Sequence, residues 1–154
     1  MTSHRAVLGD FSSVVCLKAV IVGVEDTLGE DGASVVFTRA GRVRGQQLVA
    51  SLGLTGKNIP VSELAVTLDA ALGKGGTRLC CVEKAVQNGE QVVIDTQEAV
   101  CLAGEQNGST RKCTFTLGAI WGALEAVSGK RYFGEHTESV LRGGSSDKFV
   151  FNPM

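Results

Sequence analysis

Apolar residues in the first third of the chain come in runs rather than in strict alternation. The run "AVIVGV" at 19–24 sits within the segment Phe11–Leu28. Val14, Val15, Val20, Ile21, Val22 and Val24 favour a strand by propensity. Three features outweigh them. Asp10 and Ser12 are good helix N-caps, Glu25 and Asp26 break any alternation, and Gly29 is a natural C-cap. An apolar segment this long predicts a buried helix. Ala33–Ala40 and Val43–Leu52 follow as helical pieces hinged near Gly41 and stopped by Gly53. Pro60 opens a further helix, since proline suits a first turn, and Leu64, Leu68, Ala71 and Leu72 recur at helical spacing on one face. "GKGG" at 73–76 ends it.

The period then changes. "TRLCCVEKAVQ" and "EQVVIDTQEAVCL" are β-rich arms around Asn88-Gly89, a dipeptide suited to a type I′ turn. A two-residue loop there predicts Gln87 opposite Glu90 and Ala85 opposite Val92. After a polar loop at Gly104–Lys112, a helix is predicted from Thr116 to Val127, with Gly129 as its stop. Leu117, Ile120, Trp121 and Leu124 form its apolar face. Gly118 and Gly122 form a second stripe where another backbone can come close, for tight helix packing or beside a ligand. "KRYFGEHTESVL" and "DKFVF" predict a closing hairpin around Gly143–Ser146. The fold class is α+β: N-terminal helices, then an antiparallel sheet of about four strands with one crossing helix.

Composition narrows the function classes. A chain of 154 residues with 44% apolar and 20% charged residues fits a single domain, 1–154, with a real core. A net charge of −1 gives no bulk attraction to nucleic acid or to anionic membranes. Arg39, Arg42 and Arg44 read as a solvated face. No apolar stretch is long enough to span a bilayer, and "MTSHRAVLGDFSS" lacks the apolar core of an export signal. The five cysteines at 16, 80, 81, 101 and 113 form no CxxC, so reduced, mostly buried thiols in a cytoplasmic protein are expected.

Few motifs carry chemistry. There is no GxxxxGK[ST] loop, and the glycine-rich "GKGGTR" at 73–78 follows a helix and precedes a strand, the reverse of a phosphate cradle. HExxH and GxSxG are absent. With only His4 and His136 in the chain, a nucleophile–histidine site must use His136. Alternation puts His136 and Glu138 on one strand face and Glu135 on the other. That pair describes a solvated strand, a ligand contact or an oriented base. A metal site would need His136 with thiolates such as Cys101 and Cys113. Cys80 and Cys81 are adjacent and point to opposite faces of a strand. No metal site is expected. Phe115, Trp121, Tyr132 and Phe133 cluster within nineteen residues, as core or as the wall of a pocket for a flat apolar ligand.

The order "VGVEDTLGEDGASVVFTRAGRVRG", a capped helix, a long hairpin, "CTFTLGAIWGAL", then "GEHTESVLRGGSSDKFVF" resembles the 4-vinyl reductase, or hydrocarbon-binding, domain family. That family is related to TRAPP-type vesicle-tethering subunits and to haem nitric-oxide-binding domains. The resemblance spans about residues 20–152. It rests on Leu28-Gly29, Ala40-Gly41-Arg42 and the spacing of Cys113, Phe115, Gly118 and Gly122. The family's last hairpin reads Glu-x-x-Cys, a turn, then Cys-x-Phe. Matching Phe151 to that phenylalanine puts Glu138 on the glutamate and Leu141 and Phe149 on the cysteines, so only Cys113 keeps a thiol.

The resemblance implies a non-catalytic domain binding an apolar or aromatic molecule, with a tetrapyrrole among the candidates. Cys113, Phe115, Trp121, Phe133 and His136 are the expected ligand contacts. No catalytic residue is assigned, and the cofactor is left open. The alternative is a dimeric assembly protein or adaptor for a protein partner, like the tethering subunits. A homodimer is expected because the N-terminal apolar run exceeds what one helix face needs to bury. An enzyme using His136 with Glu138 or Cys113 is the third reading.

Overall fold

The N-terminal third forms one long kinked helix. The computed structural model describes Arg5, Val7 and residues 13–154. Helix α1 spans Val14–Ser51, with Ser13 as N-cap, its hydroxyl accepting the Val15 N–H at 3.0 Å. The expected caps Asp10 and Ser12 lie outside the described residues. Gly29 bends α1 instead of ending it, with φ 74° and ψ 170°. That left-handed φ is open to glycine at little cost, so the chain turns there and resumes as helix.

Gly41 was expected as a hinge but is ordinary helix interior, buried against another helix. The expected burial of the first segment is also only partial. Ile21 is buried, whereas Val14, Val15 and Val20 are exposed. Helix α2 covers Val61–Leu72, with Pro60 just outside as N-cap, and buries Leu64, Ala65, Leu68 and Leu72.

Strand β1 (Cys81–Asn88) pairs with β2 (Gln91–Gln97). The register is shifted by one from the expected one: Gln87 faces Val92 and Asn88 faces Gln91, leaving Gly89-Glu90 as the loop. Gly89 is left-handed (φ 64°) while Asn88 and Glu90 are not, the signature of a type II′ loop with glycine first. Helix α3 (Thr114–Ser128) then precedes β3 (Tyr132–Glu138) and β4 (Asp147–Pro153). The antiparallel sheet has order β1-β2-β4-β3. A short 3-10 turn at Val140–Arg142 lengthens the last connection. The fold is α+β as expected.

Helix α3 is the centre of the molecule. Ile120, Ala123, Leu124 and Val127 are buried together with Val92, Ile94, Phe149 and Phe151 of the sheet in one apolar core. Its other side meets α1 at backbone distance. A Cβ on Gly41 would stand 2.8 Å from the Ala119 nitrogen, and one on Gly45 would stand 2.7 Å from the Ala123 nitrogen. From the α3 side, a Cβ on Gly122 would meet the Arg42 Cα at 2.8 Å, and Gly118 faces the carbonyl of Thr38. The Gly118/Gly122 stripe therefore serves tight helix packing. Arg42, expected on a solvated face, donates to Glu125 Oε2 at 2.5 Å and lies 4.6 Å over the Trp121 ring.

A charged network ties α1 to the loop before α3. Lys18 Nζ donates to the Cys101 carbonyl (2.6 Å) and to Glu105 (2.8 Å), while Arg111 pairs with both Glu105 and Glu25. The Lys18 hydrogen bond, helped by Arg111 against the opposing effect of burial, holds the Glu105 carboxyl down at about 2.

Two outcomes follow from this packing. Gly45→Ala is expected to destabilise by at least about 2 kcal/mol, because the added methyl meets backbone that cannot move alone. Gly23→Ala, also in α1 but with open space around it, is expected to be neutral or stabilising by about 0.5–1 kcal/mol. Chemical denaturation of both variants checks this, and equal effects would refute the interlock. Glu105 has a depressed folded pKa, so its contribution is complete above the unfolded value and lost as pH falls from about 4.5 towards 2. The stability gap between wild type and Glu105→Gln should narrow over that window; a gap that stays constant would show that Glu105 is not ion-paired.

Candidate functional site

The sequence-predicted ligand residues separate into three neighbourhoods. The first is buried at the start of α3. Cys113 is the N-cap of that helix and is joined to Cys101 by a disulfide, with Cα atoms 5.5 Å apart. This corrects the expectation of reduced thiols at these two positions. The 3-10 turn at Val100–Leu102 doubles the chain back, and the Lys18 and Arg111 pairs close the loop, placing two thiols twelve residues apart at bonding separation.

His136 stands beside this bridge. Its Nδ1 accepts the Cys113 N–H at 3.3 Å, so the neutral ring carries its proton on Nε2, which faces Asp147 Oδ1 at 3.0 Å. The side chains of His136 and Asp147 are 2% and 0% exposed. Asp147 Oδ2 is buried without a hydrogen-bond partner among the described residues. Cys113 Sγ, an imidazole nitrogen and an Asp147 oxygen all lie within 4.8 Å of one another. The carboxylate partner of His136 is therefore Asp147 and not Glu138. A bulge between His136 and Glu138 breaks the alternation, and Glu138 sits exposed at 3.2 Å from Lys148 Nζ. Leu141 and Phe149 are buried apolar residues.

Asp147 was missed, although the sequence carried a signal for it. In "DKFVF", Asp147 falls in phase with Phe149 and Phe151, the inward residues of β4, so period-two alternation puts a carboxylate on the core side.

The second neighbourhood is an apolar groove between the first turns of α1, the end of α2 and the start of α3. It is a half-open groove with a volume of about 560 Å³. Leu17, Val20, Leu72, Leu79, Val100 and Phe115 supply most of its wall, with Arg44, Thr77 and Arg78 as polar groups. A small void of about 20 Å³ continues behind it between Ile21, Phe37, Phe115 and Cys101. Phe115 is the sequence-predicted contact that faces this groove. Leu17, Leu79 and Val100 were missed because they come from three separate segments, each of which reads alone as ordinary core.

The third neighbourhood holds Trp121 and Phe133. Their rings meet edge to face with centroids 6.2 Å apart, and Trp121 also contacts Phe151 at 6.4 Å. Neither lines the groove. The Trp121 indole N–H and the Tyr132 backbone N–H both donate to Glu125 Oε1, at 3.0 and 2.9 Å. Burial alone would raise the Glu125 carboxyl, but these bonds and Arg42 hold it below its ordinary value. Trp121 is thus tied down by a satisfied polar cluster.

The remaining thiols do not assemble a site. Burial pushes the Cys80 thiol up to about 12, which keeps it protonated, and Cys81 is raised by burial and nearby carboxylates. Cys16 is exposed at the edge of the groove.

No family model and no curated protein sequence matches the chain. Solved structures do resemble it. The phenol-responsive sensory domain of the transcription activator PoxR, crystallised with phenol, superposes with a TM-score of 0.59 at 17% identity, covering 94% of this chain and 76% of that one. A trafficking protein particle complex subunit 3 from Naegleria fowleri, covalently bound to palmitic acid, superposes with a TM-score of 0.64 at 14% identity, covering 92% and 95%. At these identities the likeness concerns the fold: the chain shares its architecture with a sensory ligand-binding domain and with a trafficking-complex subunit.

Proposed function

We propose that this chain is a non-catalytic domain that binds a small apolar or aromatic molecule in the groove between α1, α2 and α3. The groove itself carries the proposal. Its volume falls in the range of small-molecule sites, and its lining is mainly apolar with a few polar groups at the edge. Phe115 offers a ring for stacking, and Arg44, Thr77 and Arg78 offer partners for one hydroxyl or carboxylate on the ligand. The fold likeness to a domain crystallised with phenol supports this reading, as does the likeness to a subunit carrying a fatty acyl chain. Placing the ligand here moves it away from Trp121 and Phe133, whose neighbours are protein groups.

A second reading, a homodimeric assembly protein, rests on the outer face of α1. Val35 is 71% exposed, and Val36 and Val43 are also exposed. These three apolar side chains on one helix are what a symmetric partner would cover.

Calorimetric titration with phenol, a larger bicyclic aromatic and palmitate tests the groove. At least one is expected to bind with one-to-one stoichiometry. Phe115→Ala should weaken that binding by about 1–3 kcal/mol, the scale of one buried aromatic. Trp121→Leu should leave it within about 0.5 kcal/mol, the range of a substitution away from the contact. The reverse ranking would return the site to the Trp121–Phe133 face, and no binding by any of the three would remove the ligand reading. Light scattering of the same samples decides the second reading: a dimer that Val35→Glu dissociates supports it, and a monomer excludes it.

A further inference from the structure

The groove between α1, α2 and α3 has an apolar wall and charged groups of one sign. Arg44 of α1 and Arg78 of the loop after α2 both line it, and among the described residues no Asp or Glu does. Arg42 and Arg44 are two positions apart, about 200° around the helix axis, so they serve different sides of α1. Arg42 reaches Glu125 and the Trp121 ring, whereas Arg44, half-buried, faces the groove. Arg111 likewise pairs with Glu25 and Glu105. Neither Arg44 nor Arg78 has a carboxylate partner among the described residues.

Arg78 also has an unusual backbone. Its φ is 59°, in the left-handed region where glycine sits at least cost. Backbone hydrogen bonds hold the loop there: the Thr77 N–H donates to the Ala71 carbonyl at 2.9 Å, and the Leu79 N–H to the Leu72 carbonyl at 2.8 Å. Glycine would suit this conformation better, yet the side chain present is a long cation beside an apolar groove. We propose that the groove selects organic monocarboxylates with an apolar body, and that Arg44 and Arg78 bind the carboxylate. The proposal rests on the reading of the groove as the ligand site and names the class of ligand it takes.

The two ends of such a molecule need different things. An aromatic or alkyl body leaves water against the leucine and valine wall and Phe115. A carboxylate that leaves water must find hydrogen-bond donors, and an apolar wall has none. A guanidinium presents paired N–H donors that match the two carboxylate oxygens, and charge makes these bonds stronger than neutral ones. Beside a low-dielectric wall the pairing is screened less than on an open surface. A neutral amide of the same shape gains the apolar contact without the charge pairing. Arginines that only cover the wall with their stems and keep their heads in water would give no preference for the acid. The quantity that decides is therefore the affinity of an acid relative to its amide.

Calorimetric titration of the full chain with two isosteric pairs tests this: 2-naphthoate with 2-naphthamide, and octanoate with octanamide. At least one acid is expected to bind about 10-fold or more tightly than its amide, the scale of a charge-assisted hydrogen bond. That advantage should shrink as salt is raised. Arg44→Gln and Arg78→Gly should each remove most of it and leave amide binding within about twofold. Phe115→Ala should weaken acid and amide alike. Arg131→Gln, at a basic residue that does not line the groove, should behave as wild type. Circular dichroism checks that each variant folds, and Arg44→Gln carries the test alone should Arg78→Gly not fold. An amide that binds as tightly as its acid, an acid preference that survives both arginine substitutions, or an equal loss in Arg131→Gln would overturn the proposal. Amide binding that Phe115→Ala still weakens would then leave the groove as a site for neutral ligands. Binding by none of the four compounds would remove the groove reading as well.

Discussion

The backbone-to-backbone contact of α1 with α3 is the constraint on which the remaining architecture depends. Four glycines make it, Gly41 and Gly45 from α1 and Gly118 and Gly122 from α3. Each position meets the partner helix where other residues would place a Cβ. The close approach lets α3 serve two neighbours at once. Its small-residue side seats against α1, and Ile120, Leu124 and Val127 reach the sheet core. The first turns of α1 then overhang the start of α3. The wall of the groove is assembled from Leu17 and Val20 on one helix and Phe115 on the other. A wider helix separation would open the space behind Phe115 to water and separate Arg42 from Glu125 and Trp121.

The same seating explains why polar groups lie deep in the molecule. Where α3 begins, Cys113 faces the end of β3 and the start of β4, so His136 and Asp147 are covered on all sides. The Lys18, Glu25, Glu105 and Arg111 network seals the loop over this corner. Paired in this way, the charges fasten α1 to the loop without needing the protein interior. The corner that holds the disulfide and the groove that we assign to the ligand share Cys101 and Phe115 as neighbours in the void between them. Chemistry at one is mechanically close to the other.

Much of the fold was legible in the sequence because each element carries its own period. The α2 face, the α3 face and the two hairpins follow from spacing alone, and so does the α+β class. The errors have local physical causes. Asn88-Gly89 suggested a type I′ turn, but glycine alone supplies the positive φ, and the loop moved by one residue. Gly29 had the conformation of a helix end but not its consequence, because residues beyond it resume the helix. Glu138 was paired with His136 by simple alternation, which a bulge cancels. The site was less legible than the fold. Cys101, Cys113, His136 and Asp147 come from four segments, and only tertiary packing brings them together. The groove residues are ordinary leucines and valines whose shared role depends on how α1 crosses α3.

The central claim is that the space under the first turns of α1 is a binding site. Methyl-resolved NMR of the full chain during addition of phenol tests it most directly. The account predicts saturable shifts at the methyls of Leu17, Val20, Leu79 and Val100, with Val92 and Ile94 in the sheet core unmoved. Shifts confined to groups around Trp121 and Phe133, or none at all with phenol and with the larger ligands, would contradict it.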